Sequence, residues 1–342
     1  MLEFRVVAES DGARAGEGRT PRAPLHTPAF MPVGTHAAVN GLVPGVLEQE
    51  GAEILVCNAF RLAEQPGDSI LRSQGGLHRF MGWSRLLLTD SGGFQVYRLE
   101  DRQVREEGVE FYAGKQRVQW TPERAIEIQA VLGSDFVMPL DVCVSLPTDH
   151  ATARDAMERT LRWAARCQQA GSERLAAGQI LFGIVQGATF PDLRRRCIDA
   201  LEAMGFAAYA IGGLNVGETP EAYRTTLGQV GPMLPRGKLR YLMGVGRPEA
   251  MLEAVAAGVD IMDSIVPTKY AREGTAFTSR GLINLTRPKL AKDRLAIDPS
   301  CRCSTCTRVS RGYLHHLFQT TTTSAQVFVA THNVHFCLEL MQ

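Results

Sequence analysis

The sequence predicts an α/β fold, a (β/α)8 TIM barrel followed by a smaller C-terminal subdomain. Eight short apolar runs recur along the chain, and near-continuous apolar runs are typical of strands buried on both faces of a parallel sheet. Amphipathic segments between the runs give the strand–helix alternation of such a barrel. The length of 342 residues also suits one large α/β barrel.

Each predicted strand is followed by a turn and then usually by a helical pattern. The spacing is wider after the second and third runs, which predicts insertions at those two points. In chain order the runs are PAFMPVGT, AEILVCN, RLLLTDSGG, DFVMPLDVC, ILFGIVQG, AAYAIGGL, RYLMGVG and VDIMDSIVPT.

The predicted helices are amphipathic segments that follow the runs. Several open with Thr-Pro-Glu or Arg-Pro-Glu, and proline is favourable in the first helical turn because its missing N–H would have no partner there. The segments are PERAIEIQAVLG, ATARDAMERTLRWAARCQQA, FPDLRRRCIDALEAMG, TPEAYRTTLGQVGPML and RPEAMLEAVAAG.

The composition is that of an ordinary globular protein, with 45% hydrophobic and 21% charged residues. The sequence has no run of 18 or more apolar residues, and its opening segment lacks the apolar core of a signal peptide. We therefore expect a cytoplasmic protein that does not associate with membranes. Four cysteines in apolar or helical patterns are expected to be reduced thiols: Cys57, Cys143, Cys167 and Cys197.

Basic side chains are concentrated in one part of the chain. Although the net charge is +1, the segment from Lys269 to Arg311 contains ten basic residues and three acidic ones. A concentration of this kind is typical of a surface that contacts a phosphate backbone. A solvated charged face without a nucleic-acid partner is the alternative interpretation.

Polar residues and glycines close several of the predicted strands, where a (β/α)8 barrel places its active site. A single aspartate after a strand could be a helix N-cap. Three aspartates at three different strands, beside glycines that let a ligand approach the backbone, favour a binding site. The residues expected at this mouth are Asp90, Asp141, Gln186, Gly212, Gly213, Gly244 and Asp263.

Asp90 and Asp263 are the candidate catalytic pair. Two carboxylates that face one mouth suit glycosyl transfer, because one can attack the sugar carbon while the other exchanges protons. A closely spaced pair also separates the two pKa values, so that one group is ionised while the other is protonated. Double displacement would retain the configuration at the sugar carbon.

Three cysteines near the C-terminus predict a metal site. Cys301, Cys303 and Cys306 form a C-x-C-x2-C pattern that can direct three thiolates at one tetrahedral ion, with free surface thiols as the alternative. A closed site of this kind is structural, so we expect Zn2+ to stabilise a subdomain at 281–342 beside a catalytic barrel at 1–280. Spacing alone leaves the fourth ligand open among His315, His316, His332, His335 and Cys337.

Seven motifs in a fixed order carry a resemblance to a known family. They are LTDSGGFQV, FGIVQG, IGGLNVGE, YLMGVGRPE and MDSIVPTKYAREG, followed by CRCSTC and YLHHL. Along essentially its entire length the chain resembles the bacterial-type tRNA-guanine transglycosylases, also called queuine tRNA-ribosyltransferases. The resemblance implies exchange of the wobble guanine in the anticodon loop of GUN-anticodon tRNAs for a 7-deazaguanine base, either aminomethyl-deazaguanine or queuine.

The resemblance also implies roles for the carboxylate pair and for three cations. Asp263 would attack the ribose C1′ to form a covalent tRNA–enzyme intermediate, and Asp90 would take a proton from the incoming base. The tRNA-binding residues implied in the same way are Arg247, Lys269 and Arg272.

A pocket for the base is implied as well. Phe94 and Met243 would hold the ring between them, although core packing is the alternative for both. The hydrogen-bonding edge of the base would be read by Asp141, Gln186 and the backbone of Gly213 and Leu214. The implied substrate-binding set is Ser91, Phe94, Asp141, Cys143, Gln186, Gly213, Leu214, Asn215, Met243 and Gly244.

The family pattern further implies the fourth metal ligand and the oligomeric state. The histidine of the pattern matches His332, 26 residues beyond Cys306. Family members are typically homodimers, and Tyr313 and His316 match interface positions.

Several positions depart from the family pattern and leave the identity of the incoming base open. Val142 stands where glutamate is usual and Asn215 where a small alanine is usual, so both are expected to change the space around the 7-substituent. Lys269 replaces an arginine and keeps its charge but not its planar fork. Further departures are Ala59, Arg61 and Ser264.

The sequence also bears on three other functions. A non-catalytic partner subunit would have no need of both Asp90 and Asp263. A metal-dependent barrel hydrolase would need ligands such as H-x-H after the first strand, where PVGTHAAVN supplies only His36. A relative that inserts deazaguanine into DNA is separated poorly by sequence, and the full-length resemblance to the tRNA enzymes favours tRNA.

Overall fold

The computed structural model describes residues 2–114 and 116–342, and its strands and helices follow the predicted alternation. The strands are β1 (Glu3–Ser10), β2 (Ala13–Arg19), β3 (Pro24–Thr27), β4 (Ala29–Pro32), β5 (Ile54–Asn58), β6 (Leu86–Asp90), β7 (Gln103–Val104), β8 (Val109–Ala113), β9 (Gln116–Trp120), β10 (Phe136–Val137), β11 (Ile180–Leu181), β12 (Gly183–Val185), β13 (Ala208–Ile211), β14 (Leu239–Leu242), β15 (Ile261–Ser264), β16 (Thr275–Thr278) and β17 (Gly281–Asn284).

The helices lie mainly between the parallel strands and after the last of them. They are α1 (Pro44–Gln49), α2 (Ala59–Glu64), α3 (Asp68–Ser73), α4 (Leu77–Met81), α5 (Gly93–Tyr97), α6 (Pro122–Leu132), α7 (His150–Arg174), α8 (Pro191–Ala203), α9 (Pro220–Met233), α10 (Pro248–Ala256), α11 (Val266–Arg272), α12 (Arg311–Thr320) and α13 (Thr322–Glu339), with a 3₁₀ helix at Pro288–Leu290. Among the described residues, no helix combines the length and the hydropathy needed to cross a membrane.

Two parallel sheets contain the strands of all eight predicted runs, which confirms a mixed α/β fold. One sheet has the order β11-β10-β6-β5 and the other β12-β13-β14-β15-β4. A parallel bridge between Val33 and Val56 links the end of β4 to β5. Phe182 alone separates β11 from β12, and its N–H donates to the Val137 carbonyl at 3.0 Å.

Side chains that alternate along the parallel strands enter two different apolar clusters. In β5, Ile54 and Val56 belong to one cluster, and Leu55 and Cys57 belong to the other. The first cluster takes a side chain from every strand of both parallel sheets. The second also includes residues of the helices, among them Leu193 of α8. Both faces of these strands are therefore buried, as their near-continuous apolar sequences predict.

Insertions follow the second and third runs, as predicted. Helices α2, α3 and α4 follow β5, while α5 and an antiparallel sheet of β7, β8 and β9 follow β6. A further antiparallel sheet, β1-β2-β3, precedes the first parallel strand, and sequence reasoning missed it. Its buried Arg14 forms an ion pair with Asp260, next to the amino end of β15.

The C-terminal segment packs against the end of the parallel sheet. The amide of Asn333 on α13 accepts the N–H of Phe277 and donates to the carbonyls of Pro267 and Thr275, each at 3.0 Å. These bonds join α13 to α11 and to the hairpin of β16 and β17. The predicted boundary at 280/281 falls within that hairpin.

Candidate active site and metal centre

A cavity of about 450 Å³ lies at the carboxyl ends of the parallel strands. Asp90 ends β6, Gln186 directly follows β12 and Asp263 lies in β15, so the common strand direction brings distant parts of the sequence to one edge. All predicted catalytic and substrate-binding residues line this cavity: Asp90, Ser91, Phe94, Asp141, Cys143, Gln186, Gly213, Leu214, Asn215, Met243, Gly244 and Asp263.

Asp263 is held by two donors on the same carboxylate oxygen. The Tyr241 hydroxyl donates to Oδ1 at 2.7 Å, and the backbone N–H of Gly244 donates to it at 2.9 Å. Burial raises the pKa of Asp263, whereas the two hydrogen bonds favour its ionised form and act against that rise. The carboxylate therefore has a fixed orientation and a local preference for negative charge.

Asp90 lies in a different electrostatic environment. Burial, together with the charges of Asp263 and Asp141, raises the pKa of Asp90 to about 8, and the neighbouring Asn58 acts against the rise. Asn58 is the register partner of Asp90 on β5. Since Asp263 has two donors, the proton of the coupled pair resides on Asp90 at neutral pH. This arrangement can supply an ionised nucleophile and a neutral acid in one cavity.

Asp141 and Gln186 form a second polar pair in the cavity. Gln186 Nε2 donates to Asp141 Oδ2 at 2.7 Å, and burial raises the pKa of Asp141 to about 6. Two glycines pack against this pair: a Cβ on Gly212 would lie 2.7 Å from Gln186 Nε2, and Gly213 has a φ of +66°. Side chains at these two positions would therefore collide with Gln186 or strain the backbone.

Phe94 and Met243 differ in how deeply their side chains are buried. Phe94 is 43% exposed, and the guanidinium carbon of Arg98 lies 5.6 Å from its ring centroid. Core packing, the alternative for Phe94, is therefore wrong. Met243 lines the cavity and also packs against the first apolar cluster, so it has both environments.

The predicted cysteines meet one histidine in a compact group. The Sγ atoms of Cys301, Cys303 and Cys306 lie 3.5, 3.5 and 3.3 Å from His332 Nδ1. A tetrahedral ion with ordinary metal–sulfur and metal–nitrogen bonds separates such ligands by about 3.6 Å. The other ring nitrogen of His332 lies 2.7 Å from the Phe277 carbonyl, which fixes the ring. Among the candidate fourth ligands the structure thus selects His332, and the four residues can hold a metal ion.

The comparison with known proteins agrees with this geometry. The family model described as queuine tRNA-ribosyltransferase matches residues 9–342. The chain belongs to this family. A queuine tRNA-ribosyltransferase of Lysinibacillus sphaericus is 44% identical over 343 residues, covering 99% of this chain and 90% of the relative. Those of Caldanaerobacter subterraneus and Halothermothrix orenii are 44% and 43% identical, covering 100% and 96% of this chain and 92% and 88% of the relatives.

Membership of the queuine tRNA-ribosyltransferase family confirms the resemblance seen in the sequence. A family that acts on tRNA also needs cations outside the cavity to contact the phosphate backbone. Arg247, Lys269 and Arg272 are exposed, and none has a carboxylate partner among the described residues. Within the basic segment, Arg311 pairs with Asp293 at 3.3 Å, whereas the other basic residues are exposed. Lys269 and Arg272 lie on α11, which directly follows the strand of Asp263.

Sequence reasoning missed two residues of the site. Tyr241 was placed inside an apolar run, although a buried tyrosine hydroxyl needs a partner and this one finds Asp263. Glu218 accepts the N–H groups of Asn215 at 2.5 Å and Val216 at 3.0 Å, and so fixes the loop after β13. Its position inside the quoted motif IGGLNVGE was the available signal.

The two departures expected beside the 7-substituent differ in their position relative to the cavity. Asn215 lines the cavity in a left-handed conformation with φ of 60°. Val142 is not among the residues that line the cavity, because it packs against the second apolar cluster. Val142 therefore does not change the space around the ligand by direct contact, contrary to expectation. Asn215 can contact the ligand, as expected.

Proposed function

We propose that this protein is a tRNA-guanine transglycosylase, a pentosyltransferase that exchanges the wobble guanine of GUN-anticodon tRNAs for a 7-deazaguanine base. The incoming base would be aminomethyl-deazaguanine or queuine. The observation that carries the proposal is the shared cavity of Asp90 and Asp263, in which burial and mutual repulsion make their protonation states differ. The family and the names of its members supply the substrate class.

In the first displacement, the Asp263 carboxylate attacks C1′ of the wobble ribose. The C1′–N9 bond breaks, its electron pair goes to guanine, and an ester joins Asp263 to the ribose. The Tyr241 hydroxyl and the Gly244 N–H hold the attacking group in orientation. Protonated Asp90 gives its proton to the leaving guanine, as a group with a pKa raised to about 8 can at neutral pH.

In the second displacement, the incoming base replaces guanine. Asp263 is now a neutral ester, so the repulsion that raised the pKa of Asp90 has weakened, and Asp90, which has given up its proton, stays ionised and can accept another. Asp90 takes the N9 proton of the incoming base, N9 attacks C1′, and the ester bond to Asp263 breaks. Two inversions at C1′ give net retention.

The base would be held by the remaining lining residues. Asp141 and Gln186 already form a hydrogen-bonded pair that can face the polar edge of a guanine-like ring. Phe94 at the rim and Met243 within the cavity would contact its faces. Asn215 would adjoin the substituent that distinguishes one 7-deazaguanine from another.

The architecture we infer is a closed (β/α)8 barrel at 1–280 with a metal-binding subdomain at 281–342. Support comes from the Val33–Val56 bridge, from the single residue between β11 and β12, and from the apolar cluster to which every parallel strand contributes. In a closed barrel, these features would join the two parallel sheets along both of their common edges.

We infer that the metal is Zn2+, held by Cys301, Cys303, Cys306 and His332. Three thiolates and one imidazole form a closed tetrahedral set that zinc prefers, and such sites stabilise folds without taking part in catalysis. Bound there, the ion would link the cysteine loop to α13. No reacting group of the proposed mechanism contacts it.

We further propose that the protein acts in the cytoplasm as a homodimer that binds tRNA through Arg247, Lys269 and Arg272. The unpaired, exposed cations beside α11 suit a phosphate backbone. Tyr313 is 46% exposed on α12, and His316 is exposed one turn further on, so both are available to a second subunit.

Exchange of radiolabelled guanine into a GUN-anticodon tRNA tests the proposal. Wild-type protein should incorporate the label, and Asp263→Asn should abolish both incorporation and the covalent adduct with tRNA. A tRNA with adenine at the wobble position is the control substrate and should take up no label. Incorporation by Asp263→Asn at the wild-type rate would overturn the nucleophile assignment, and no incorporation by wild type would overturn the proposed function.

A further inference from the structure

Arg194 on α8 is a fully buried cation beside the cavity. It is 0% exposed, whereas the adjacent Arg195 and Arg196 are exposed. Buried Arg14 is paired with Asp260, but Arg194 has no carboxylate partner within 4.0 Å among the described residues. Burial lowers the pKa of Arg194 to about 10, so the group stays charged at neutral pH. Burying a charge without a carboxylate partner is costly, so the contacts that Arg194 makes at this position indicate its role.

The guanidinium donates to backbone carbonyls at the ends of two neighbouring strands. Its Nη1 donates to the carbonyls of Val185 and Gly212, both at 2.7 Å. Its Nε donates to the carbonyl of Ala188 at 2.9 Å, and Nη2 lies 3.4 Å from the carbonyl of Gly213. The planar fork of arginine spreads five N–H donors over three nitrogens in fixed directions, whereas lysine offers three donors from a single nitrogen.

These contacts determine the direction of a peptide group that faces the ligand cavity. In a planar trans peptide, the C=O of one residue and the N–H of the next point in opposite directions. Arg194 draws the Gly212 carbonyl towards α8, so the Gly213 N–H points to the opposite side, where Gly212 and Gly213 line the cavity. This N–H has no acceptor among the described residues. Gln186, whose side chain packs against both glycines, borders the same space.

We propose that Arg194 is a positioning residue: it fixes the Gly212–Gly213 peptide so that the Gly213 N–H donates to the 6-oxo group of the bound base. The proposal rests on the proposed function, because it assumes a guanine-like ligand in this cavity. A donor held by a buried cation is also a stronger donor, since the positive charge polarises the peptide group.

Direct binding of free bases tests this inference. We would measure Kd by calorimetry, without tRNA, for guanine and for 2-aminopurine, which lacks the 6-oxo group. Arg194→Lys and Arg194→Gln should weaken guanine binding roughly tenfold, the effect of losing one well-oriented hydrogen bond, and should leave 2-aminopurine binding unchanged. The preference for guanine over 2-aminopurine should shrink in parallel with guanine affinity. The loss should be smaller in the lysine variant, which keeps a positive charge, than in the glutamine variant.

Arg195→Lys and Arg195→Gln are the matched controls, because Arg195 is the exposed neighbour on the same helix. Equal weakening of both bases, or an unchanged preference for guanine, would overturn the proposal. Unfolding of Arg194→Lys would also overturn it, because Arg194 would then support the fold instead of the base site. If wild type and the Arg194 variants bind the two bases as expected but wild type does not exchange guanine into tRNA, the proposed function fails and the role of Arg194 stands.

Discussion

The hydroxyl of Tyr241 donates a 2.7 Å hydrogen bond to Oδ1 of Asp263, from the neighbouring parallel strand. Burial, together with the adjacent carboxylate, raises the pKa of the Tyr241 hydroxyl well above its ordinary range, so the hydroxyl stays a donor. Two adjacent strands, β15 and β14, thus supply the candidate nucleophile and the group that orients it. Sites built on strands hold such geometry better than sites built on loops.

Replacing Tyr241 by phenylalanine should leave the Asp263 carboxylate in place but weaken it as a nucleophile. We expect kcat for guanine exchange to fall roughly tenfold, because a hydrogen bond to a charged group is lost. The bond favours the ionised carboxylate, so its loss should raise the pKa of Asp263 and shift the acidic limb of the pH profile to higher pH. Tyr209→Phe on β13 is the control, because Tyr209 is also buried but does not contact Asp263. Identical profiles for both variants would contradict the role of Tyr241.

Asp90 should make the folded protein less stable as the pH rises. Burial and the neighbouring carboxylates raise its pKa to about 8 in the folded state from an ordinary value of 3.8, so between about pH 4 and pH 8 the folded state holds a proton that the unfolded state releases. Stability from this group is therefore lost as the pH rises through that window. Asp90→Asn should remove the loss, and its Tm should exceed that of wild type by an amount that grows from pH 5 to pH 8.

For a chain of 342 residues, each kcal/mol gained by Asp90→Asn should raise Tm by about 1–2 °C, so the Tm difference at pH 8 measures the gain. Thermal unfolding of both proteins at a series of pH values measures it. The same variant should be inactive in exchange at every pH, because no group then receives the N9 proton. A Tm difference that stays constant with pH would show that Asp90 is ionised in the folded protein.

The strand ends were predictable because a carboxylate after an apolar run is conspicuous in the sequence. Asp90, Asp141 and Asp263 stand out in this way, and the common direction of parallel strands then brings them together. Tyr241 and Arg194 were not predictable, because each resembles an ordinary member of its strand or helix. Arg194 is one of three consecutive arginines, and only packing shows which of them faces inward.

Long-range pairing limited the sequence analysis elsewhere. The choice of His332 among five candidate ligands came from the resemblance, since spacing could not decide it. In the structure the choice follows from α13, which Asn333 fixes by hydrogen bonds to residues more than fifty positions earlier in the chain. The sheet of β1, β2 and β3 was missed because the buried positions of β2 are Arg14 and two glycines, which give no apolar alternation in the sequence.

Removing the metal should unfold the C-terminal segment before the rest of the protein. Wild-type protein should contain about one equivalent of Zn2+, and Cys303→Ala should contain almost none, because three ligands hold the ion far more weakly than four. Cys337→Ala is the control, since Cys337 is also buried on the C-terminal segment but lies outside the ligand group. Metal analysis and hydrogen exchange of α13 measure both effects. Full zinc content in Cys303→Ala would contradict the assigned site.

Lys269 and Arg272 should bind tRNA without contributing to base recognition. Both lie on α11 beside the cavity, exposed and without carboxylate partners among the described residues, whereas the cavity itself is lined by other side chains. Replacing Lys269 by alanine should raise KM for tRNA and leave the Kd for free guanine unchanged. Because one phosphate contact is lost, the slope of log K against log salt should fall by roughly 0.7–0.9.

Arg19→Ala is the matched control: it removes an exposed cation from β2, in the sheet that adjoins the opposite, amino ends of the parallel strands. Equal salt slopes for the two variants would show that α11 does not face the phosphate backbone.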